Sequence, residues 1–194
     1  MFIDEPVLAK CLNLAIFALN PLEKWPAHIT IAGPFPEKSA VPRSLEFAEQ
    51  ISVIGRGRFL NGRRHTVFLH AGSLGIHSRM HKPDYPGAIP HLSLYSGNDA
   101  ELADLLYSRL EQVNVFGVFY NRKLAIVESN EQYNFNFRSQ IDTSISRLTT
   151  GLSLDQIRKM SKEDRVGIAV NVVEYGFAYS ARRSAFKAGR LIKQ

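Results

Sequence analysis

Apolar and polar positions along the chain fall into short runs of different period. Residues 11–19, "CLNLAIFAL", are almost wholly apolar and stop at Asn20-Pro21, which predicts a central strand. Residues 27–33, "AHITIAG", are rich in β-branched side chains and close on Gly33-Pro34, a second strand. Residues 42–51, "PRSLEFAEQI", place Leu45, Phe47, Ala48 and Ile51 roughly to one side behind Pro42, which predicts a helix. Two strand-like runs follow, "SVIGRGRFL" and "HTVFLHAG", and the Asn61-Gly62 between them signals a hairpin. Residues 73–90 scatter glycine and proline without a period and read as a loop with one short helical turn.

The second half opens on another strand, "HLSLYSG" (91–97). The clearest helix comes next, "NDAELADLLYSRLEQV" (98–113), with Asn98 or Asp99 as cap. Leu102, Leu105, Leu106, Leu110 and Val113 lie on one of its faces. "NVFGVFY" and "KLAIVES" read as strands around the turn "NRK", and "YNFNFR" (133–138) as a further strand. Each histidine-bearing strand is thus followed by a helix and two strands, the rhythm of an internal duplication of about fifty to sixty residues. The expected class is α+β with mostly antiparallel sheets. Residues 150–194 read as helices with Ser161 and Asp164 as start signals, although Val-Val and glycine weaken the helix across 166–173. The expected organisation is a domain over 1–149 and a helical C-terminal extension over 150–194, packed on the sheet or offered as an interaction surface.

Composition narrows the class only a little. Hydrophobic residues make up 45% and charged ones 22%, the profile of a folded globular protein. Cys11 is the single cysteine, so no internal disulfide exists, and its apolar setting makes it a small buried hydrophobe. No apolar run reaches the roughly 20 residues that span a bilayer, and the first residues lack the pattern of a signal peptide. A cytoplasmic protein without membrane partners is therefore expected. The net charge of +6 fits an anionic partner such as a nucleotide or RNA. Arg56, Arg58, Arg63 and Arg64 cluster within nine residues, and Arg182, Arg183, Lys187, Arg190 and Lys193 mark the C-terminal segment. Each cluster is equally readable as a solvated face.

The informative pattern is a repeated one. Side chains at i and i+2 of a strand share a face. His28 and Thr30 therefore point one way and Ile29 and Ile31 the other, while His91 and Ser93 oppose Leu92 and Leu94. One such triplet is best explained as a satisfied core histidine. Two copies, each behind a proline and ahead of a glycine, point to paired chemistry. Two imidazoles across a groove can divide the cleavage of a phosphodiester, the neutral one taking a proton and the protonated one giving one. The hydroxyls two residues on can donate to non-bridging phosphate oxygens, where a carboxylate would repel.

These residues, "HITI" at 28–31 and "HLSL" at 91–94, resemble the paired H-x-[ST]-h signature of the two-histidine (2H) phosphoesterase superfamily. "PHLSLYSG" followed directly by a helix is most similar to its cyclic phosphodiesterase branch. The resemblance covers about residues 10–137 through motif order, spacing and strand–helix rhythm. It implies a bilobal fold of two pseudo-symmetric halves around a central cleft, with His28 and His91 as the acid/base pair, Thr30 and Ser93 as phosphate-binding hydroxyls, and no metal cofactor. The irregular stretch 73–90 departs from the helix that many relatives carry there, and the segment from 150 has no counterpart.

Other residues enter as candidates for the substrate. Tyr95, at i+4 from His91, would share its face and stack on a base or ribose; Phe35 is a second aromatic candidate. Arg56, Arg58 and Arg64 have forks that match phosphate oxygens, with Arg56 and Arg58 on one strand face whose destination alternation leaves open. His77 and His81 have a metal-like spacing, but a zinc site needs three or four ligands, and loop histidines explain them better. The expected activity is metal-independent hydrolysis of a nucleotide or RNA phosphodiester, most simply a 2′,3′-cyclic phosphate. Degradation of a cyclic oligonucleotide or a 2′,5′-linked signal uses the same pair. A non-catalytic nucleotide- or RNA-binding module is the competing class.

Overall fold

A computed structural model of the chain describes residues 1–23, 25–33, 46–80, 87–125, 127, 149 and 151–191. It is α+β. Strands β1 (Glu46–Asn61), β2 (Arg64–Gly72), β3 (His91–Gly97) and β4 (Phe116–Lys123) form one sheet in the order β3-β2-β1-β4, with every pairing antiparallel. That is the strand order of a Greek key. The helices are α1 (Pro6–Leu19), α2 (Leu74–Arg79), α3 (Ala100–Glu111), α4 (Leu154–Arg158) and α5 (Lys162–Leu191). Among the described residues, no helix is long and apolar enough to cross a membrane.

The expected hairpin is present: Asn61 pairs with Arg64 around Gly62, whose φ of 59° is the left-handed conformation that glycine supplies. Helix α3 also stands where the sequence puts it. The Asp99 carboxylate accepts from the Leu102 amide, and Leu102, Leu106 and Leu110 are buried. Ser161 likewise opens α5, its hydroxyl accepting from the Asp164 amide at 3.1 Å. The short turn expected within 73–90 is α2, capped by Ser73.

Besides residues 27–33, expected as a strand but joined to their neighbours by isolated bridges and not by a continuous ladder, three elements differ from expectation. Residues 11–19 are not a strand but the body of α1, capped by Glu5 and ended at Asn20. Every residue from Cys11 to Leu19 is buried, because α1 is wedged between α5 and the sheet. A helix enclosed on all sides is apolar all round, and such a run carries no period to separate it from a buried strand. Residues 46–51, expected as helix, begin β1, where Ile51 and Val53 alternate inward opposite Phe119 and Gly117 of β4. Pairing on a two-residue period overrides a helical pattern that only approximates 3.6. No helix therefore follows the first histidine motif over 46–51, and residues 34–45 lie outside the description. The third difference is "NRK", expected as a turn, which continues β4: Asn121 is fully buried and its side-chain oxygen accepts from the Asp4 amide. Residues 126, 128 and 129 of "KLAIVES", and all of "YNFNFR", lie outside the described residues.

The boundary expected at 149/150 does not separate two cores. Val166, Ala169, Val170, Val172, Val173 and Phe177 of α5 belong to the same apolar cluster as α1, α3 and the sheet. Gly176 lies against Cys11 and Gly117 against the Phe177 ring, at distances that leave no room for a Cβ on either glycine. Lys162 ties the start of α5 to that of α3 through Asp99 and Glu101.

The two sheet faces have different fates. On one, Val53, Val67, Leu69 and Leu92 are fully buried. Arg56 and Arg58 share this face, because they pair with Leu69 and Val67. Helix α3 covers them: Arg56 pairs with Glu111 at 2.6 Å and stacks over the Tyr107 ring, and Arg58 pairs with Asp104. The other face carries Gly57, Phe59, Thr66, Phe68, His70, His91, Ser93 and Ser96.

Candidate active site

The segment bearing His28 joins the sheet beyond β3. Residues 1–3 flank it on one side, with the Ile29 amide donating to the Met1 carbonyl at 2.8 Å. On the other side, Ile29 forms an antiparallel bridge with Leu92 of β3. From within α1, the buried Asn13 side chain accepts from the Ala27 amide at 2.6 Å and fixes the approach to His28.

The Ile29–Leu92 bridge determines the rest. Carrying its register one residue either way sets His28 across from Ser93 and Thr30 across from His91. Ile29 and Leu92 are fully buried, so the four polar side chains project together on the opposite, solvent-facing side. The two motifs are related by a local two-fold through the bridge. His28 and His91 are near enough for charge on one ring to act on the other.

The two-fold extends to hydrogen bonding. His28 Nδ1 lies 2.8 Å from the Pro26 carbonyl and His91 Nδ1 lies 2.8 Å from the Ile89 carbonyl. A carbonyl only accepts, so each neutral ring carries its proton on Nδ1 and its lone pair on Nε2. The Thr30 and Ser93 hydroxyls make no hydrogen bond among the described residues. Burial holds the His28 pKa below its ordinary 6.5, opposed by the Pro26 carbonyl and reinforced by nearby positive charge, His91 included. A proton on one imidazole thus disfavours a proton on the other.

Aromatic rings surround both histidines. Trp25 and Phe2 stand 5.8 and 6.1 Å from the His28 ring. Phe68 and Phe59 stand 4.8 and 5.4 Å from His91. The Phe68 ring lies where a side chain on Gly57 would otherwise be, so glycine there is a packing requirement.

The substrate-binding candidates fare differently. Tyr95 does not share the histidine face. The β2–β3 register slips by one residue, from Phe68↔Ser93 to Val67↔Tyr95, leaving Leu94 as the extra residue. Tyr95 therefore turns to the core, is 5% exposed, and accepts at its hydroxyl from the Asp99 amide at 3.0 Å. Arg56 and Arg58 are also away from the histidines, on the face beneath α3. Phe35 lies outside the described residues. Arg64 of the basic cluster reaches the histidine face, its Nε donating to Ser96 Oγ at 2.7 Å.

Two residues escape the sequence reading. Asn13 is a lone amide in an apolar run, and its burial demands a partner. His70 is the direct cross-strand partner of His91, and both rings flank Phe68. Alternation in "HTVFLHAG" groups it with Thr66 and Phe68, but only the β2–β3 pairing brings it beside His91. His77 is in α2, near Gly72, and His81 lies outside the described residues. Among the described residues, no three His, Cys, Asp or Glu side chains are grouped to hold a metal ion. Comparison of the chain with known protein families, with curated proteins and with solved structures returns no match.

Proposed function

We propose that the protein is a phosphodiesterase of the two-histidine kind, opening the 2′,3′-cyclic phosphate of a nucleotide or RNA end. The observation that carries this reading is the Ile29–Leu92 bridge, which gathers two imidazoles and two hydroxyls on one exposed face. The matching Nδ1 bonds support it, since they leave both Nε2 atoms as the reactive nitrogens.

In this reading His28 is the base, a role that suits an imidazole whose burial favours its neutral form. Its Nε2 takes a proton from water as the water oxygen bonds to phosphorus. The bond from phosphorus to the ribose 2′ or 3′ oxygen breaks, and protonated His91 supplies that oxygen with a proton. Thr30 and Ser93 donate to the non-bridging oxygens, where negative charge grows. The local two-fold supports a bilobal reading in which each half of the chain supplies one histidine and one hydroxyl.

The test is direct. Purified protein is incubated, with and without a chelator, with 2′,3′-cyclic nucleotides, RNA ending in a cyclic phosphate, and cyclic dinucleotides, and products are resolved chromatographically. Conversion of the 2′,3′-cyclic substrates to monoesters is expected. No turnover of any substrate would overturn the reading.

A further inference from the structure

Along the histidine face the side chains fall into rows that cross the strands. His91 pairs with His70; one row on, Ser93 pairs with Phe68 and Phe68 with Gly57. Beyond the slip at Leu94, Ser96 pairs with Thr66 and Thr66 with Phe59; Asn61 and Arg64 close the hairpin. Successive rows are two strand residues apart, roughly 7 Å. The Ser96 row is two rows beyond His91, roughly 14 Å, so a single polynucleotide strand reaching both sites would place there a phosphate beyond the adjacent one.

The row containing Ser96 is built for an anion beside an aromatic plane. Arg64 Nε is held by Ser96 Oγ at 2.7 Å, and that hydroxyl lies 3.2 Å from Thr66 Oγ1. One edge of the guanidinium is thereby fixed, while its terminal nitrogens have no partner among the described residues. An oriented fork of this kind suits phosphate oxygens. Phe59 completes the row with its ring 43% exposed, held from behind by Phe68 at 5.1 Å and set edge-on to His91 at 5.4 Å. An exposed ring braced by another ring is a stacking platform open to any base.

We propose that the substrate is a polynucleotide: the reacting phosphate lies between His28 and His91, the neighbouring base stacks on Phe59, and a phosphate further along the strand is held by Arg64 with Ser96 and Thr66. This rests on the phosphodiesterase reading for the identity of the reacting group. It adds a direction, with the strand running along β3 toward the hairpin. A mononucleotide fills only the first position, so the oligonucleotide is the better substrate.

The test compares a 2′,3′-cyclic mononucleotide with a short RNA ending in the same nucleotide, on wild type, Arg64→Ala and Phe59→Leu. Turnover and equilibrium binding are both measured, binding with 3′-phosphate-ended RNA and with the matching 3′-mononucleotide. Wild type is expected to favour the RNA at least 10-fold, and each substitution to cut that preference several-fold, since one stacked base contributes about 1–3 kcal/mol. Arg64→Ala should also flatten the salt dependence of RNA binding by about 0.7 in log–log slope, the value of one single-strand phosphate contact. Equal preference for the two ligands in wild type, or equal losses for both in the variants, overturns the proposal. Absence of turnover sinks the phosphodiesterase reading alone, because the RNA preference and its salt slope are still read from binding.

Discussion

His28 and His91 make the same hydrogen bond: each Nδ1 lies 2.8 Å from the carbonyl two residues earlier in the chain. Prolines stand beside both acceptors, Pro26 as the acceptor residue itself and Pro90 directly after Ile89. Their rigid φ fixes the turn that brings each carbonyl under its imidazole. Two rings held alike, on strands that meet at one bridge, form a matched pair.

If they divide acid and base, losing either ends the reaction. His28→Ala and His91→Ala are each expected to lower kcat by about 10²–10⁴-fold, the usual worth of a general acid or base. Circular dichroism should show both variants folded. Near wild-type turnover in either variant would reject the paired assignment.

The depressed pKa of His28 sets a sign for pH. Burial lowers it from 6.5, so the imidazole is neutral at pH 7; if it serves as the base, the acid limb of the rate profile is expected below pH 6.5. The profile should be bell-shaped, with apparent values that belong to the pair. Stability follows the same shift. Above pH 6.5 both folded and unfolded chains hold His28 neutral; below it the unfolded chain gains a proton that the folded one resists. Stability is therefore lost as pH falls from 7.5 through 6.5 and on toward the folded pKa. Denaturant midpoints across that range should fall further for wild type than for His28→Gln.

Asn13 acts through position alone. Asn13→Leu removes the oxygen that accepts from the buried Ala27 amide, with an expected cost of about 1–3 kcal/mol. Because Ala27 precedes His28, kcat should fall while KM stays close to wild type. A variant that loses stability with kcat intact would show Asn13 to be structural only.

Arg56 and Tyr95 are expected to matter for stability and not for substrate. Tyr95→Phe loses the bond to the Asp99 amide at the head of α3, about 1 kcal/mol. Arg56→Ala strips the Tyr107 ring of its stacked guanidinium at 4.3 Å and lowers Tm by a few degrees. Both variants should keep wild-type kcat/KM. A raised KM at unchanged Tm would return either residue to the substrate site.

Gly57→Ala tests the floor beneath His91. The added methyl meets the Phe68 ring, which packs on His91, so about 1–3 kcal/mol of strain and a fall in kcat are expected together. Phe68→Leu in the Gly57→Ala background makes room and should restore stability first.

The sequence makes legible what depends on a two-residue period. The facing of His28 with Thr30 and of His91 with Ser93, the Asn61-Gly62 hairpin and helix α3 all follow from local pattern. What escapes it depends on partners distant in the chain. α1 looks like a strand because the elements that enclose it, α5 and the sheet, come later in the chain. Arg56 and Arg58 look like phosphate ligands until α3 folds over them. Tyr95 is placed correctly by alternation up to Leu94, where one unpaired residue reverses it. The Ile29–Leu92 bridge, which joins the two motifs, spans 63 residues (92 − 29) and leaves no local trace.

The extra residue at Leu94 also divides β3 into two territories. Upstream, His91 and Ser93 face the open side of the sheet; downstream, Tyr95 is bonded to the head of α3. Substitutions that retune what the face binds need not disturb the helix, nor the reverse. Deleting that one residue would close the ladder into a plain alternating register, with Ser93 opposite Phe68 and Tyr95 opposite Val67, and would leave Tyr95 facing the core. In this strand, a single unpaired residue puts His91 and Tyr95, four positions apart, on opposite faces of the sheet.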